Sequence, residues 1–334
     1  MSGLLAPALL LGLCALVILF TGVRLSRYGD IIGARTGVGG TWIGLLVMAS
    51  VTSLPEMVTA STAIGVYDLP DIAAGDAIGS CMFNLLILAF LDFRNPVPLS
   101  ARVHQGHVLT AAFGSVLMGA AALAMLAGAR APVVGWVGAH SLAMLGIYVL
   151  GMKTIFRFER VRAAAEHAGP GGGGASTMGL RDAVIRYVAN AAVLVAAAAV
   201  LPATGEMLAA RTGLGESFVG SLFIAVSTSL PEIVVSVEAA RLGAVDMAAG
   251  NIFGSNMFNM AILAAGDALY ARGSLLAAVS DVHLVSLTAA TMMSAIAIIG
   301  LTYRASRKRY RLSWDALGIL AVYVAATVLL QRLG

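Results

Sequence analysis

Ala49-Ser50-Val51-Thr52-Ser53-Leu54-Pro55-Glu56 sets hydroxyls, a proline and a carboxylate inside an otherwise apolar run. The pattern returns as Ala225-Val226-Ser227-Thr228-Ser229-Leu230-Pro231-Glu232, at an offset of 232 − 56 = 176 residues. A charged side chain at bilayer depth costs roughly 2.5–3.5 kcal/mol, and such residues face a bundle interior and mark an ion or substrate path. Two glutamates that recur in register, Glu56 and Glu232, are therefore functional candidates before anything else is known about the chain.

The setting is a membrane. The 334 residues are 59% hydrophobic and 11% charged, with a mean hydropathy of +0.91, whereas an ordinary soluble domain carries about 25% charged residues. The lipid bilayer is the first partner this composition implies. A net charge of +4 does not indicate nucleic acid, because the arginines are scattered between apolar spans without the patterning of a nucleic-acid module. No obligatory protein partner is evident. Cys14 and Cys81 fall within apolar spans and match no metal or disulfide spacing. The run Leu4 to Val23 has no basic segment before it and is long enough to span, so it reads as a retained first helix.

At about 20 residues per crossing, the pattern predicts ten helices, at 4–24, 38–66, 71–92, 104–128 and 131–153, then at 182–203, 213–240, 246–268, 280–301 and 312–331. The expected fold is an all-α integral membrane protein with a five-helix repeat in 1–155, a linker in 156–181, and a second five-helix repeat in 182–334. The linker contains Gly169-Pro170-Gly171-Gly172-Gly173-Gly174-Ala175-Ser176, the composition of flexible coil. Cytoplasmic loops carry the excess of Lys and Arg. With the N-terminus outside, 17 of the 21 basic residues are cytoplasmic and only Arg130, Arg211, Arg272 and Arg332 are not. Five helices per half then require the second half to enter the membrane inverted, the plan of many secondary transporters. Both termini lie outside, the linker is cytoplasmic, and the expected location is a prokaryotic inner membrane.

A second block also repeats. Asp71 to Asn84 aligns with Asp246 to Asn259 at an offset of 175. Asp76, Ser80 and Asn84 are four apart, as are Asn251, Ser255 and Asn259, so each trio lines one helical face. Thr52 precedes Glu56 by one turn. Pro55 and Pro231 lack an N–H and free the carbonyls near Val51 and Ser227 from the helix ladder. Carboxylates, hydroxyls, amides and carbonyls make an all-oxygen set suited to hard cations, and Ca²⁺ takes about 6–8 such ligands. No His or Cys cluster suits zinc or copper. Plainer readings compete at single positions: a proline is often only a kink, and a hydroxyl often only bonds its own helix. Asp92 and Asp267 read as loop caps, His140 as a hydrogen-bonded core residue, and His107 and His283 as interfacial. Asp68, Asp71 and Asp246 read as acids at helix starts or in loops.

The two blocks resemble the paired α-repeats of the sodium/calcium exchanger family, within the Ca²⁺/cation antiporter superfamily. The likeness is carried by Thr52 to Glu56 with Gly79-Ser80 and Asn84, and by Thr228 to Glu232 with Gly250-Asn251, Gly254-Ser255-Asn256 and Asn259. It implies alternating-access exchange of Ca²⁺ for Na⁺, both as transported ions, with no organic cofactor and no enzymatic step. It also implies central carboxylates at Glu56 and Glu232, hydroxyl ligands at Thr52, Ser53, Thr228, Ser229, Ser80 and Ser255, and carbonyl ligands at Ala49 and Ala225. Asn84 and Asn259 occupy symmetric amide positions, where many relatives carry an acid in place of Asn259. Asp76 stands where the family usually has Asn. That departure keeps a Ca²⁺/H⁺ or other divalent-cation/H⁺ antiporter open as an alternative, with a cation channel more distant. A cysteine placed at Ala175 tests the topology: labelling by an impermeant reagent is expected only from the cytoplasmic side, and labelling from outside would break the inverted count.

Overall fold

The computed structural model describes residues 2–36, 51–165, 178–305, 307–308 and 311–333. The described residues are helical nearly throughout. In order, α1 is Ser2–Thr36, α2 Leu54–Thr62, α3 Pro70–Arg94, α4 His107–Ala127, α5 Ala139–Ala165, α6 Leu180–Thr212, α7 Leu230–Arg241, α8 Val245–Gly266, α9 His283–Tyr303 and α10 Trp314–Leu333. Short helices at Leu99–Arg102, Glu216–Val219, Ala225–Thr228 and Leu275–Ala278 lie between them. Among the described residues, seven helices are long and apolar enough to cross a membrane; the pair Glu216–Thr228 and Leu230–Arg241, bent by 46°, makes up to eight. The expected span at 38–66 lies partly outside the described residues. The expected span at 246–268 is present as α8 but is too polar to count by composition, because Asp246, Asn251, Asn256 and Asn259 sit on its 22 residues.

Helix boundaries depart from the expected ones where neighbouring helices, and not hydropathy, decide them. At about 1.5 Å per residue, α1 with 35 residues and α6 with 33 exceed the ~30 Å hydrocarbon core. The two pack along one another. The expected helix at 131–153 starts only at Ala139. Before it, Val133–Val134 pairs antiparallel with Val137–Gly138 across a turn in which Gly135 has φ +68°. Pro132, the β-branched valines and this left-handed glycine favour a hairpin over a helix here, so the chain is not purely α. At its other end α5 continues to Ala165, into the segment expected as linker.

The apolar face of each helix decides its place. In α3, 83% of the apolar window is buried, against 22% in α1 and 17% in α6, so α3 is central and the two long helices face outward. Both proline motifs break their helices one residue after the threonine. Ser53 sits at φ −88°, ψ 14° and Ser229 at φ −84°, ψ 8°, and a new helix begins beyond each with the proline in its first turn. Pro at that position loses nothing, because its missing N–H has no helical acceptor there.

Close approach across the core depends on glycine. A Cβ on Gly75 would lie 2.9 Å from the Ser221 amide nitrogen and 3.0 Å from the Gly220 Cα, and one on Gly79 would strike the Ser221 carbonyl. Gly220, which opens the π-helical turn Gly220–Ile224, is equally tight against Ile72. Backbone thus meets backbone between α3 and the turn preceding Glu232, with no side chain to yield. Gly79→Ala is expected to cost about 1–3 kcal/mol by overpacking. Thermal unfolding in detergent should show a lowered midpoint for it, while Gly12→Ala, whose Cβ meets open space, should leave the midpoint unchanged.

Candidate ion-binding site

The breaks at Ser53 and Ser229 point two serine hydroxyls across the core. Ser53 Oγ donates to Glu232 Oε1 at 3.0 Å and Ser229 Oγ donates to Glu56 Oε1 at 3.1 Å. Each glutamate is therefore held by the serine from the other motif. The threonines do the same one layer away: Thr228 Oγ1 donates to Asp76 Oδ1 at 2.7 Å, and Thr52 Oγ1 donates to Asn251 Oδ1 at 3.3 Å. Ser80 Oγ lies 3.0 Å from Ser229 Oγ and 3.5 Å from the Ala225 carbonyl, while Ser255 Oγ donates to Glu232 Oε1 at 3.5 Å. All of these side chains are buried.

Asn84 donates to Asn256 Oδ1 at 3.0 Å, and Asn256 donates to the Cys81 carbonyl at 3.1 Å, so α3 and α8 are joined amide to amide at their crossing. Asn259 is buried beside them, with neither its Oδ1 nor its Nδ2 engaged. The Ala225 carbonyl accepts the Ser229 amide at 3.0 Å, and Thr228 Oγ1, whose proton goes to Asp76, lies 3.2 Å from it. Ala49, its expected counterpart, lies outside the described residues.

Several buried oxygens remain without a protein partner: Glu56 Oε2, Glu232 Oε2, Asp76 Oδ2, Asn84 Oδ1, Asn259 Oδ1 and Ser221 Oγ. Leaving a buried polar atom unsatisfied costs about 1–3 kcal/mol, more when it is charged. The six oxygens fit hard cations as exchangeable ligands, whereas Asn259 Nδ2, the one nitrogen left open among these residues, does not. Glu56 lies within electrostatic range of both Glu232 and Asp76, and such like charges need a cation or a proton between them. Among the described residues no three His, Cys, Asp or Glu side chains form a ready-made chelate. The ion ligands available are thus a few carboxylates completed by hydroxyls and amides, weaker donors that suit an ion bound and released.

Acids at the helix ends play another part. Asp92 accepts the Leu99 amide at 2.8 Å and the Ser313 amide at 2.8 Å, and Lys308 pairs with it at 2.9 Å. Asp267 caps the corresponding short helix at Leu275 and accepts the Gly138 amide at 2.7 Å. His140 bonds Ser274 Oγ at 3.1 Å and stays outside the network. Asp71 contacts His283 at 3.0 Å and Asp246 contacts His107 at 3.4 Å, so each acid at the start of one central helix meets the histidine that opens a helix of the other half. Asp68 pairs with Arg272 at 2.6 Å. Sequence reading left these crosswise pairs apart; it named Asn256 within the repeated motif without giving it a role, and it did not single out Ser221 or Ser236, the last of which accepts from Asn251 Nδ2 at 3.2 Å. The repeat offset aligns Asn256 with Cys81, which is the signal that was available for it.

A helical membrane protein whose repeated motifs gather carboxylates, hydroxyls and amides in its interior has the donor set of an ion carrier. The chain is a member of the sodium/calcium exchanger protein family: the family model matches residues 6–156 and 183–331. Inner membrane protein YrbG of Escherichia coli (strain K12) is 29% identical over 282 residues, covering 81% of this chain and 82% of that protein. Sodium/calcium exchanger MaX1 of Methanosarcina acetivorans is 30% identical over 152 residues, 46% of this chain and 41% of that one. In structure, the H⁺/Ca²⁺ exchanger CAX matches with a TM-score of 0.70 at 13% identity, covering 98% of this chain and 86% of that one. The sodium-calcium exchanger NCX_Mj matches with a TM-score of 0.63 at 22% identity, covering 96% and 99%. The chain is thus an integral membrane protein of a family of exchangers. Its fold is shared by sodium-coupled and proton-coupled exchangers and does not distinguish them.

A ligand that binds only the folded state stabilises it by about 2.7 kcal/mol at a hundredfold excess over its Kd. Ca²⁺ is therefore expected to raise the unfolding midpoint of the purified protein. Glu56→Gln or Glu232→Gln should remove that shift while leaving the ion-free midpoint close to wild type.

Proposed function

We propose that this protein is a secondary active antiporter that exchanges Ca²⁺ for Na⁺ by alternating access, at the buried oxygens of Glu56, Glu232, Thr52, Ser53, Thr228, Ser229, Ser80, Ser255, Asn84, Asn259 and Asp76, with the Ala49 and Ala225 carbonyls. The observation that carries the reading is the exchange of serine and glutamate between the motifs, which leaves one oxygen of each glutamate without a partner. An ion arriving there replaces no protein hydrogen bond of those oxygens. Its departure leaves two nearby carboxylates that favour entry of the next cation, which is the coupling an exchanger requires. Ten crossings in two inverted five-helix repeats, 1–155 and 182–334, joined by a cytoplasmic linker at 156–181, complete the proposal.

A specific observation supports a second reading, Ca²⁺/H⁺ exchange. Asp76 is a third carboxylate buried at the centre beside Glu56 and Glu232, placed where the second motif has Asn251, and Thr228 holds only one of its oxygens. A proton on Oδ2 would neutralise it as well as a cation does, and no amide offers that choice.

Uptake of ⁴⁵Ca²⁺ into proteoliposomes under imposed Na⁺, K⁺ or H⁺ gradients separates the readings. Uphill uptake driven by an outward Na⁺ gradient alone is expected. Uptake that follows only the H⁺ gradient would replace Na⁺ by H⁺, and passive equilibration under every gradient would make the protein a channel. Glu56→Gln and Glu232→Gln should each lower uptake by at least about 100-fold, the loss of about 3 kcal/mol of ion interaction. Asp76→Asn should leave uptake measurable and change its pH or counter-ion dependence; unchanged profiles would return Asp76 to a structural role.

A further inference from the structure

An apolar groove of about 400 Å³ opens between α3, α7 and α10, lined among others by Phe83, Phe90, Phe93, Ile233, Leu312 and Leu320. Nothing polar lines it. Its volume lies within the ~300–1,000 Å³ of sites that take small molecules, yet without internal hydrogen-bonding groups it can hold only a hydrocarbon. The polar chemistry is at one rim. The Arg94 guanidinium lies 5.9 Å over the Phe90 ring and that of Arg311 5.8 Å over the Phe93 ring. Both arginines are exposed, and among the described residues neither has a carboxylate partner. Lys308 and Arg102 at the same end are engaged, by Asp92 and by Asn95 Oδ1 respectively. Two arginines without acids thus flank the aromatic wall of a hydrocarbon groove, where the basic end of α3 leaves the apolar zone.

We propose that this groove binds an acyl chain of an anionic phospholipid, whose phosphate is held by Arg94 and Arg311. Guanidinium matches phosphate geometry and remains charged, and both arginines already stack on rings that wall the groove, so they need little reordering. The chain would lie behind the ion site. Phe83 precedes Asn84, and Ile233 follows Glu232. Lipid occupancy therefore presses on the backbone that carries two of the proposed ligands, and the inference stands whichever ion is coupled.

The test uses full-length protein reconstituted with phosphatidylglycerol or phosphatidylcholine carrying the same photoactivatable acyl chain, with the labelled peptides identified by mass spectrometry. Phosphatidylglycerol is expected to label the segments around 83–93 and 312–320 roughly 30-fold more efficiently than phosphatidylcholine, the factor for about 1 kcal/mol at each arginine. The double variant Arg94→Gln, Arg311→Gln should lose that preference, and Leu320→Trp, which fills the groove, should lower labelling by both lipids. Equal labelling of the wild type by the two probes overturns the proposal as ordinary lipid contact, and this comparison decides even where a variant fails to fold. A preference that survives loss of both arginines, or labelling indifferent to Leu320→Trp, overturns it as well.

Discussion

A carboxylate in a membrane interior must be answered by a partner, a proton or an ion, and the rest of this structure depends on how Glu56 and Glu232 are answered. Each receives a hydroxyl from a serine on the opposite motif at 3.0–3.1 Å, and Ser255 adds a longer contact of 3.5 Å to Glu232, while one oxygen of each stays open. That is enough to orient the carboxylate and too little to neutralise it. Hydrogen bonds to charged groups contribute about 1.5–3 kcal/mol, comparable to the cost of placing a carboxylate at that depth on insertion scales. The remaining oxygen of each is the part of the site available to a cargo. Holding two serines at the right point requires the helix to stop there, and Pro55 and Pro231 ensure that it restarts one residue later.

Around this centre the two parts of the chain are fastened at their edges by the same device used twice. Asp71 meets His283 and Asp246 meets His107, while Asp92 and Asp267 each gather two backbone amides from separate segments. The fastenings are polar and sit at helix ends, where backbone donors are otherwise unpaired. Between them the contact of α3 with the Gly220–Ile224 turn is glycine against backbone. The polar edges fix where the parts meet, and the bare seam fixes how near.

Much of the centre was legible because its signals are local. A carboxylate one turn after a threonine, or a stripe at spacing four, follows from helical geometry alone, and both stripes are buried as that geometry requires. The Ala225 carbonyl, expected as an ion ligand, also accepts the Ser229 amide and lies 3.5 Å from Ser80 Oγ, a detail that depends on the backbone turn and on a rotamer, which sequence spacing does not carry. The start of α5 was misplaced because hydropathy does not separate a valine-rich hairpin from a helix. The overlong α1 and α6 were cut short for a related reason: hydropathy ends where the lipid ends, whereas a helix continues as long as a neighbour supports it. His107 and His283 looked unremarkable because their partners are more than a hundred residues away, a distance at which sequence carries no pairing signal without a symmetry argument to supply it.

The exchange of contacts between the motifs has the form of an isologous interface, the kind found at the two-fold axis of a homodimer, where residue i touches j and j touches i. Here both copies lie on one chain, which removes the constraint that a homodimer imposes: a substitution no longer appears twice. Thr228 donates to a carboxylate at Asp76, and Thr52 donates to an amide at Asn251. The donor is unchanged and the acceptor differs by one charge. Covalent linkage of the two motifs thus lets matched contacts carry an unmatched charge, a departure from symmetry that two identical subunits could not make.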